Sequence, residues 1–403
     1  MSPSPTASRT LWPDVWLLTL AGIVAAFHIG KVPPALPLLR AELDFGLTAA
    51  GWVLSTINLI GMTMGMVAGL LSDRLGARRA MLGGLATLAV ADVAGSFAPS
   101  VAMILLGRFA EGIGLFAVVV SAPPLILRAT TVADQKLTMG LWGCYMPAGT
   151  AVMMLMGPSL LYAVGWRGLW IANGALALLC LLALLWRGER HLGLARPPMR
   201  PLWHSVRETF AGPSPLLLAA SFGTYAFAYL ALTGFLPTYL VEQRGVDAAT
   251  AGLLTAAVVA ANIVGNLAAG PLQARGAARW LLIAAAAASM ALCSLLIFDE
   301  SAGNLWRYVA CLIFSAAGGM APGALFASVP HNAPLTSLIA TTSGLMMQGS
   351  NIGSTLGPPA LALLVTITGT WQSGAWLLCA MLALCMIAAF LLGRSEKRRN
   401  SMP

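Results

Sequence analysis

Long apolar stretches recur from one end of this sequence to the other, and they constrain the fold more than any other feature. A run of roughly 18 or more apolar residues is long enough to cross the hydrocarbon core of a bilayer as a helix. Of the 403 residues, 58% are hydrophobic and only 9% are charged, whereas soluble domains carry about 25% charged residues. The sequence therefore predicts an all-α polytopic membrane protein and excludes an ordinary soluble domain.

The apolar runs divide into twelve predicted transmembrane helices, which places both termini on the same side of the membrane. Loops rich in Lys and Arg remain in the cytoplasm. With the N-terminus inside, seventeen Lys and Arg residues fall in inner segments and three in outer loops, so both termini are predicted to be cytoplasmic. The first run lacks a small-residue cleavage site and is expected to be retained. The predicted limits are 15–39, 49–71, 80–98, 101–127, 137–163, 167–187, 214–240, 249–271, 280–298, 305–329, 336–368 and 372–393.

A basic, proline-rich stretch at residues 188–213 separates the predicted spans into two sets of six. Residues 1–187 are expected to form an N-terminal six-helix bundle, and residues 214–403 a C-terminal bundle with a basic cytoplasmic tail. Matches at a shift of about 200 residues support duplication, including Arg108 with Arg307. Because six is an even number, the two copies share one orientation and are expected to be related by an axis along the membrane normal.

The loop after the second predicted span reads GLLSDRLGARRAML, residues 69–82. It resembles the signature loop of the major facilitator superfamily, G-x-L-x-D-R-x-G-R-R. The loop, the helix count, the linker and the repeat are together similar to a twelve-helix bacterial permease of that superfamily. The resemblance implies two pseudo-symmetric bundles in the bacterial inner membrane, alternating access, and a conformational switch in this loop. The switch residues that it implies are Gly69, Asp73, Arg74, Gly76 and Arg79.

The fourth predicted span contains GRFAEGIG, residues 107–114, which resembles the superfamily motif R-x-x-[QE]-G-x-G of proton-driven members. Arg108 and Glu111 are three residues apart and share one helical face. A charge near the bilayer centre costs roughly 2.5–3.5 kcal/mol, so opposite charges are expected to pair. We predict a proton-linked pair in which Glu111 titrates, with a static ion pair as the alternative. Asp92 is either a second proton site or an acid that reaches the outer headgroups.

The first predicted span ends in AAFHIGKVPPALP, residues 25–37, which places His28 and Lys31 on one helical face. The three prolines are expected to break the helix and bend its tip. Lys31 either extends to the outer headgroups or faces a central cavity beside His28. In the second case, Lys31, His28 and Arg108 would bind the substrate and favour an anionic solute.

Polar side chains in the other spans are candidates for hydrogen bonding and stacking with a solute. In the superfamily that the chain resembles, spans one, four, seven and ten line the cavity, with spans two, five, eight and eleven beside them. The candidate substrate-binding residues are Tyr145, Tyr225, Tyr229, Asn262, Gln348 and Asn351.

These features favour a proton-coupled symporter that moves a small organic solute, with an anionic solute preferred. A proton-driven drug or metabolite efflux antiporter is the alternative. Gly157-Pro158 is followed by SLL, so the glycine pair of the superfamily's antiporter motif G-P-x-x-G-G is missing. Methionines in the second and fifth spans, with Cys144 and His28, leave soft-metal uptake as a further alternative, although methionine is also a common packing residue.

Other classes of function lack support in the sequence. We find no nucleotide-binding loop, zinc-ligand spacing or nucleophile motif, so neither ATP-driven transport nor enzymatic activity is predicted. The six cysteines lie in apolar runs, which argues against a disulfide framework. No cofactor, bound metal or nucleic-acid partner is expected. The expected partners are the solute, protons and the lipid bilayer, and the protein is expected to be monomeric.

Overall fold

The structure is a computed structural model that describes residues 9–65, 76–187, 207–210, 212–335 and 338–400. Within these ranges the regular secondary structure is helical, with no strand. The helices are α1 (Trp12–Gly30), α2 (Val32–Leu43), α3 (Leu47–Ser55), α4 (Ala77–Ser96), α5 (Val101–Arg128), α6 (Gln135–Gly143), α7 (Tyr145–Trp186), α8 (Pro213–Arg244), α9 (Ala248–Ala274), α10 (Arg279–Phe298), α11 (Asn304–Asn332), α12 (Ile339–Thr368) and α13 (Gln372–Asn400).

Ten helical stretches of the described chain are long and apolar enough to cross a membrane. One of them, α7, runs over 42 residues and consists of two helical segments that meet at Gly165, in agreement with the two spans predicted there. It bends at Gly165, whose φ of 67° and ψ of 179° only glycine adopts readily. The bend falls between the two predicted spans. The third predicted span corresponds to α4, which is not one of these ten stretches. Its arginines and Asp92 lower its mean hydropathy. The all-α polytopic fold is confirmed.

The chain forms two compact units, and each combines segments that are distant in sequence. Unit 1 comprises Met1–Phe45, Ala68–Pro198 and Leu240–Ala256. Unit 2 comprises Gly46–Val67, Met199–Tyr239 and Ala257–Pro403. The sequence-based division at the linker would place 46–67 with the first unit and 240–256 with the second. That division into two continuous bundles stays a prediction.

In unit 1, α4 packs against α5 and α7, and α1 packs against α5 and α7. The closest approach of α4 and α5 occurs where Gly84 faces Gly114. A Cβ atom at Gly84 would lie 2.8 Å from the Gly114 carbonyl oxygen, and one at Gly114 would lie 2.7 Å from the Gly84 carbonyl oxygen. Small residues allow helix backbones to approach in this way inside a membrane. The contact fixes α4 and α5 side by side.

The predicted break in the first span is present at Lys31, where α1 ends and α2 begins. Pro33 and Pro34 lie in the first turn of α2, where a missing amide hydrogen removes no helical hydrogen bond. Lys31 keeps helical dihedral angles, with φ −71° and ψ −30°, and its amide donates to the Phe27 carbonyl at 2.8 Å. The proline segment therefore interrupts the helix at the residue that carries its cation.

In unit 2, α10 packs against α11 and α13, and α12 packs against α3. Glycines 349, 353 and 357 of α12 face the main chain of α8, at Ala219, Gly223 and Phe227 respectively. A side chain at any of the three positions would meet that backbone directly. Their four-residue spacing therefore serves close helix packing.

We predict that Gly84→Leu destabilises unit 1, because a side chain there must displace the α5 backbone. Overpacking of this kind costs about 1–3 kcal/mol, so the thermal unfolding midpoint in detergent should fall. Gly83→Leu is the matched control on the same helix, since a Cβ atom at Gly83 meets nothing within 4 Å. Equal midpoints for the two variants would contradict the close α4–α5 contact.

Candidate functional site

Three helices of unit 1 bring five charged or titratable side chains together. His28 and Lys31 come from the end of α1, Asp92 from α4, and Arg108 and Glu111 from α5. Each of the five is at most 1% exposed. We call these five residues the charged cluster. Ionisable groups inside a membrane domain mark functional sites by default, because burying them is costly.

Lys31 is the centre of the charged cluster. Its ammonium group forms an ion pair with Asp92 Oδ1, and a second with Glu111 Oε1 at 3.0 Å. The same nitrogen lies 4.4 Å from the ring centroid of Trp170 in α7, a cation–π contact. The interpretation in which Lys31 extends to the outer headgroups is therefore wrong, because the cation finds acids within the unit.

Arg108 and Glu111 pair on one face of α5, as their spacing predicts. Arg108 Nη1 forms an ion pair with Glu111 Oε2 and also donates to the main-chain carbonyl of His28 at 2.6 Å. Glu111 thus contacts a different cation through each of its two oxygens. The role of Glu111 as a proton carrier stays a prediction. The role of Arg108, as a residue that modulates Glu111 or as a substrate ligand, also stays a prediction.

Both ring nitrogens of His28 face oxygen acceptors. Nδ1 lies 3.0 Å from the Val24 carbonyl and 3.2 Å from the Ala25 carbonyl, while Nε2 lies 2.9 Å from Asp92 Oδ2. A neutral imidazole carries a proton on only one nitrogen. A neutral imidazole places that proton either on Nδ1, towards the carbonyls, or on Nε2, towards Asp92, and only an imidazolium carries one on both nitrogens. The His28–Asp92 pair is therefore a site that can take up one further proton.

A further proton on this pair would change the net charge of the charged cluster. The lysine and arginine balance the two carboxylates, so the cluster is neutral without the proton and carries one positive charge with it. Asp92 is 0% exposed, so the interpretation in which it reaches the outer headgroups is wrong. Its position beside His28 agrees with the alternative, a second proton site, which stays a prediction.

Trp170 is a component of the site that sequence reasoning missed. It is 1% exposed and stands edge-on to Trp166 at a centroid distance of 5.6 Å. Its indole ring faces the Lys31 ammonium group. The available signal was a tryptophan in an apolar run inside the bundle, and that signal does not distinguish packing from a cation–π contact.

Three of the predicted polar residues meet in unit 2. Tyr225 and Tyr229 stack in α8 with ring centroids 5.7 Å apart. Asn262 of α9 donates to the Tyr225 hydroxyl and to the Ser315 carbonyl of α11, both at 3.2 Å. We call Tyr225, Tyr229 and Asn262 the aromatic–amide cluster. Tyr225 and Asn262 are each 5% exposed, and Asn262 Oδ1 accepts from Asn266 at 2.8 Å, so substrate binding here stays a prediction.

The other predicted polar residues have different partners. Gln348 donates to the Met62 carbonyl at 2.8 Å, and Asn351 donates to the Met347 carbonyl at 2.8 Å within its own helix. In unit 1, Tyr145 stacks on Trp142 at a centroid distance of 4.1 Å. All three predictions of substrate contact remain open, and the structure gives each side chain a packing or hydrogen-bonding role.

The predicted conformational switch lies mostly outside the described residues. Gly69, Asp73 and Arg74 fall in the range 66–75, which the structure does not describe. Gly76 has a φ of 85° and directly precedes α4, so glycine is required at that turn. Arg79 is exposed in the first turn of α4. The switch role of these five residues stays a prediction.

The soft-metal alternative gains no support from the described ranges. Within them, no group of three or more His, Cys, Asp or Glu side chains is arranged to hold a metal ion. His28 has an oxygen atom beside each ring nitrogen and belongs to no such group.

Comparison with known proteins identifies the family. The family model of the Major Facilitator Superfamily matches residues 18–347. The chain belongs to the Major Facilitator Superfamily.

Its relatives within the superfamily include resistance and efflux proteins. The multidrug efflux pump LfrA of Mycolicibacterium smegmatis is 29% identical over 199 residues, which cover 49% of this chain and 39% of LfrA. The tetracycline resistance protein, class G, of Vibrio anguillarum is 28% identical over 380 residues, which cover 89% of this chain and 92% of that protein. The chain spans about a third of the length of the first curated relatives it matches, 28% to 40%.

A solved structure shows the same fold. A bacterial homologue of the human lysosomal transporter Spinster, in an inward-facing and occupied conformation, superposes with a TM-score of 0.80. The match covers 96% of this chain and 98% of the homologue at 17% sequence identity. It confirms the helical transporter fold. The chain is thus a multi-pass membrane protein of a transporter superfamily.

We predict that Asp92→Asn destabilises the protein strongly, because it leaves Lys31 with one acid instead of two. Breaking a buried ion pair by removing one partner costs roughly 3–5 kcal/mol, whereas removing both partners is often near neutral. The double variant Asp92→Asn with Lys31→Met should therefore recover part of the lost thermal stability. Asp14→Asn is the control, since its pair with Arg187 is half-exposed and should contribute about 0–1 kcal/mol. Additive losses in the double variant would contradict the pairing.

Proposed function

We propose that this superfamily member is a proton-coupled secondary transporter of small organic solutes, and that the charged cluster carries the coupling proton. One observation supports this proposal above the others. His28 Nε2 lies 2.9 Å from Asp92 Oδ2 and Nδ1 faces main-chain carbonyls, so the pair can take up one further proton at a site where every side chain is at most 1% exposed.

Uptake of a proton would change the free energy of the buried site. A cluster with a net charge is more costly to bury in a membrane domain than a neutral one. Protonation would therefore favour conformations that admit water to the cluster over conformations that exclude it. Alternating access can be driven only by such a difference between states. We assign the exchangeable proton to the His28–Asp92 pair, with Glu111 as the alternative carrier.

The pairing of the cations bears on the class of solute. Lys31 and Arg108 each contact an acid, so neither supports an anionic solute as an unpaired cation would. The aromatic–amide cluster instead offers stacked rings and an amide. We propose a neutral or weakly charged organic solute with a flat ring system, bound by Tyr225, Tyr229 and Asn262.

The direction of transport is proposed from the relatives. LfrA is named a multidrug efflux pump, and other relatives are named for tetracenomycin C export, lincomycin resistance and tetracycline resistance. These names favour export in exchange for protons over the symport that the sequence suggested. We further propose an inner-membrane location with cytoplasmic termini, which the charge distribution in the loops supports, and a monomeric state.

Transport by purified protein in proteoliposomes tests the proposal. Vesicles with an imposed pH gradient and a clamped membrane potential should accumulate a solute from a panel containing tetracycline, lincomycin, ethidium and benzoate. One proton per neutral solute and one pH unit support at most about tenfold accumulation. Accumulation of benzoate alone would favour the anionic symport alternative. Movement of a solute that ignores the pH gradient would exclude proton coupling.

We predict that His28→Gln abolishes gradient-driven accumulation while solute exchange across the vesicle membrane continues. Glutamine can still donate a hydrogen bond to Asp92, but it cannot take up and release a proton. His331→Gln is the matched control, because His331 is exposed at the end of α11. Accumulation that survives in His28→Gln and is lost only in Glu111→Gln would place the coupling proton on Glu111.

A further inference from the structure

A second buried cation lies in unit 2, away from the charged cluster. Arg307, in the N-terminal part of α11, is 4% exposed. Its Nε, Nη1 and Nη2 atoms are all buried, and no described residue accepts a hydrogen bond from them. Of the buried lysines and arginines in the described chain, Lys31 and Arg108 contact carboxylates and Arg307 does not.

Comparison with the duplicated position shows what Arg307 lacks. The sequence repeat pairs Arg307 with Arg108, whose guanidinium group contacts Glu111 three residues later. The residue three positions after Arg307 is Ala310. A guanidinium group buried without an anion is strongly destabilising. An acceptor from outside the described chain would remove that cost.

The start of α11 adds a second positive feature at the same place. Gly303 caps the helix without a side-chain hydrogen bond, and the first turn contains no acidic residue. The first amide groups of a helix have no partner within the helix, and they carry the positive end of its dipole. Helical side chains in general lean towards the N-terminus, which favours a position of the Arg307 guanidinium group near these amides.

We propose that Arg307 and the N-terminal amides of α11 form a binding site for an oxyanion, a phosphate or carboxylate group. The planar guanidinium group presents paired N–H donors that match two oxygens of such a group. The same chemistry is offered by a free anion and by the phosphate of a lipid headgroup. The site is separate from proton coupling, and its test does not depend on transport.

Thermal unfolding of the full chain in dodecyl maltoside, which contains no phosphate, tests the site. Inorganic phosphate is titrated at an ionic strength held constant with sodium chloride, and dihexanoyl phosphatidylglycerol is titrated separately. We expect a saturable rise in the wild-type unfolding midpoint. Without either probe, Arg307→Met should unfold at or above the wild-type midpoint, since an apolar side chain replaces an uncompensated cation.

The variants separate binding from a purely structural role. Arg307→Met should show no response to either probe, and Arg307→Lys should bind about tenfold more weakly because it lacks the paired donors. Arg275→Met, which changes an exposed arginine of the same unit, should respond as the wild type does. If Arg307→Met does not fold, the affinity of Arg307→Lys decides.

Each outcome has one meaning. A response to inorganic phosphate assigns the site to free oxyanions, and a response to the lipid alone assigns it to a headgroup; both support the proposal. No response in the wild type, or the same affinity in the wild type and the Arg307 variants, would overturn it.

Discussion

The hydrocarbon interior of a bilayer cannot solvate an ion, and this constraint governs where the charges of this protein lie. Burying a charge without a partner is costly. In unit 1 the charged groups satisfy one another, because two cations, two carboxylates and a histidine from three helices come together and form ion pairs. Three helices must keep their relative positions for the pairing to persist, so the electrostatics and the packing of the unit depend on each other.

The local sequence makes this convergence possible. The proline segment ends α1 at Lys31, and Gly84 and Gly114 let α4 and α5 approach closely. Trp170 of α7 then covers the lysine with an aromatic face. None of these residues takes part in proton chemistry, yet each determines where a charged group lies.

Sequence reasoning predicted features that depend on residues close together in the chain. The apolar runs predicted the all-α fold, the prolines predicted the break after Gly30, and the spacing of Arg108 and Glu111 predicted their pairing. Lys31 and His28 could be placed on one helical face, but their joint contact with Asp92 joins helices more than 60 residues apart. The helical period fixes which face a residue occupies and leaves the facing helix undetermined.

The same limit explains what was missed. Trp170 in α7 contacts Lys31 at the end of α1, and its sequence context is that of an ordinary packed tryptophan. The two predicted spans within α7 are present on either side of Gly165, but the sequence did not show that the second helical segment begins directly after this glycine. Arg307 was recognised as a repeat of Arg108 with Ala310 in place of Glu111, but the sequence could not show that its guanidinium group is buried without a partner from another described helix.

The hydrogen bond from Arg108 to the His28 carbonyl has a mechanical consequence. It ties a side chain of α5 to the main chain of α1 one helical turn before the proline segment. A change in the charge of the His28 ring therefore occurs on a residue whose own carbonyl is held by Arg108, and the same guanidinium group contacts Glu111. Through this single hydrogen bond, a change in charge can shift the tip of α1.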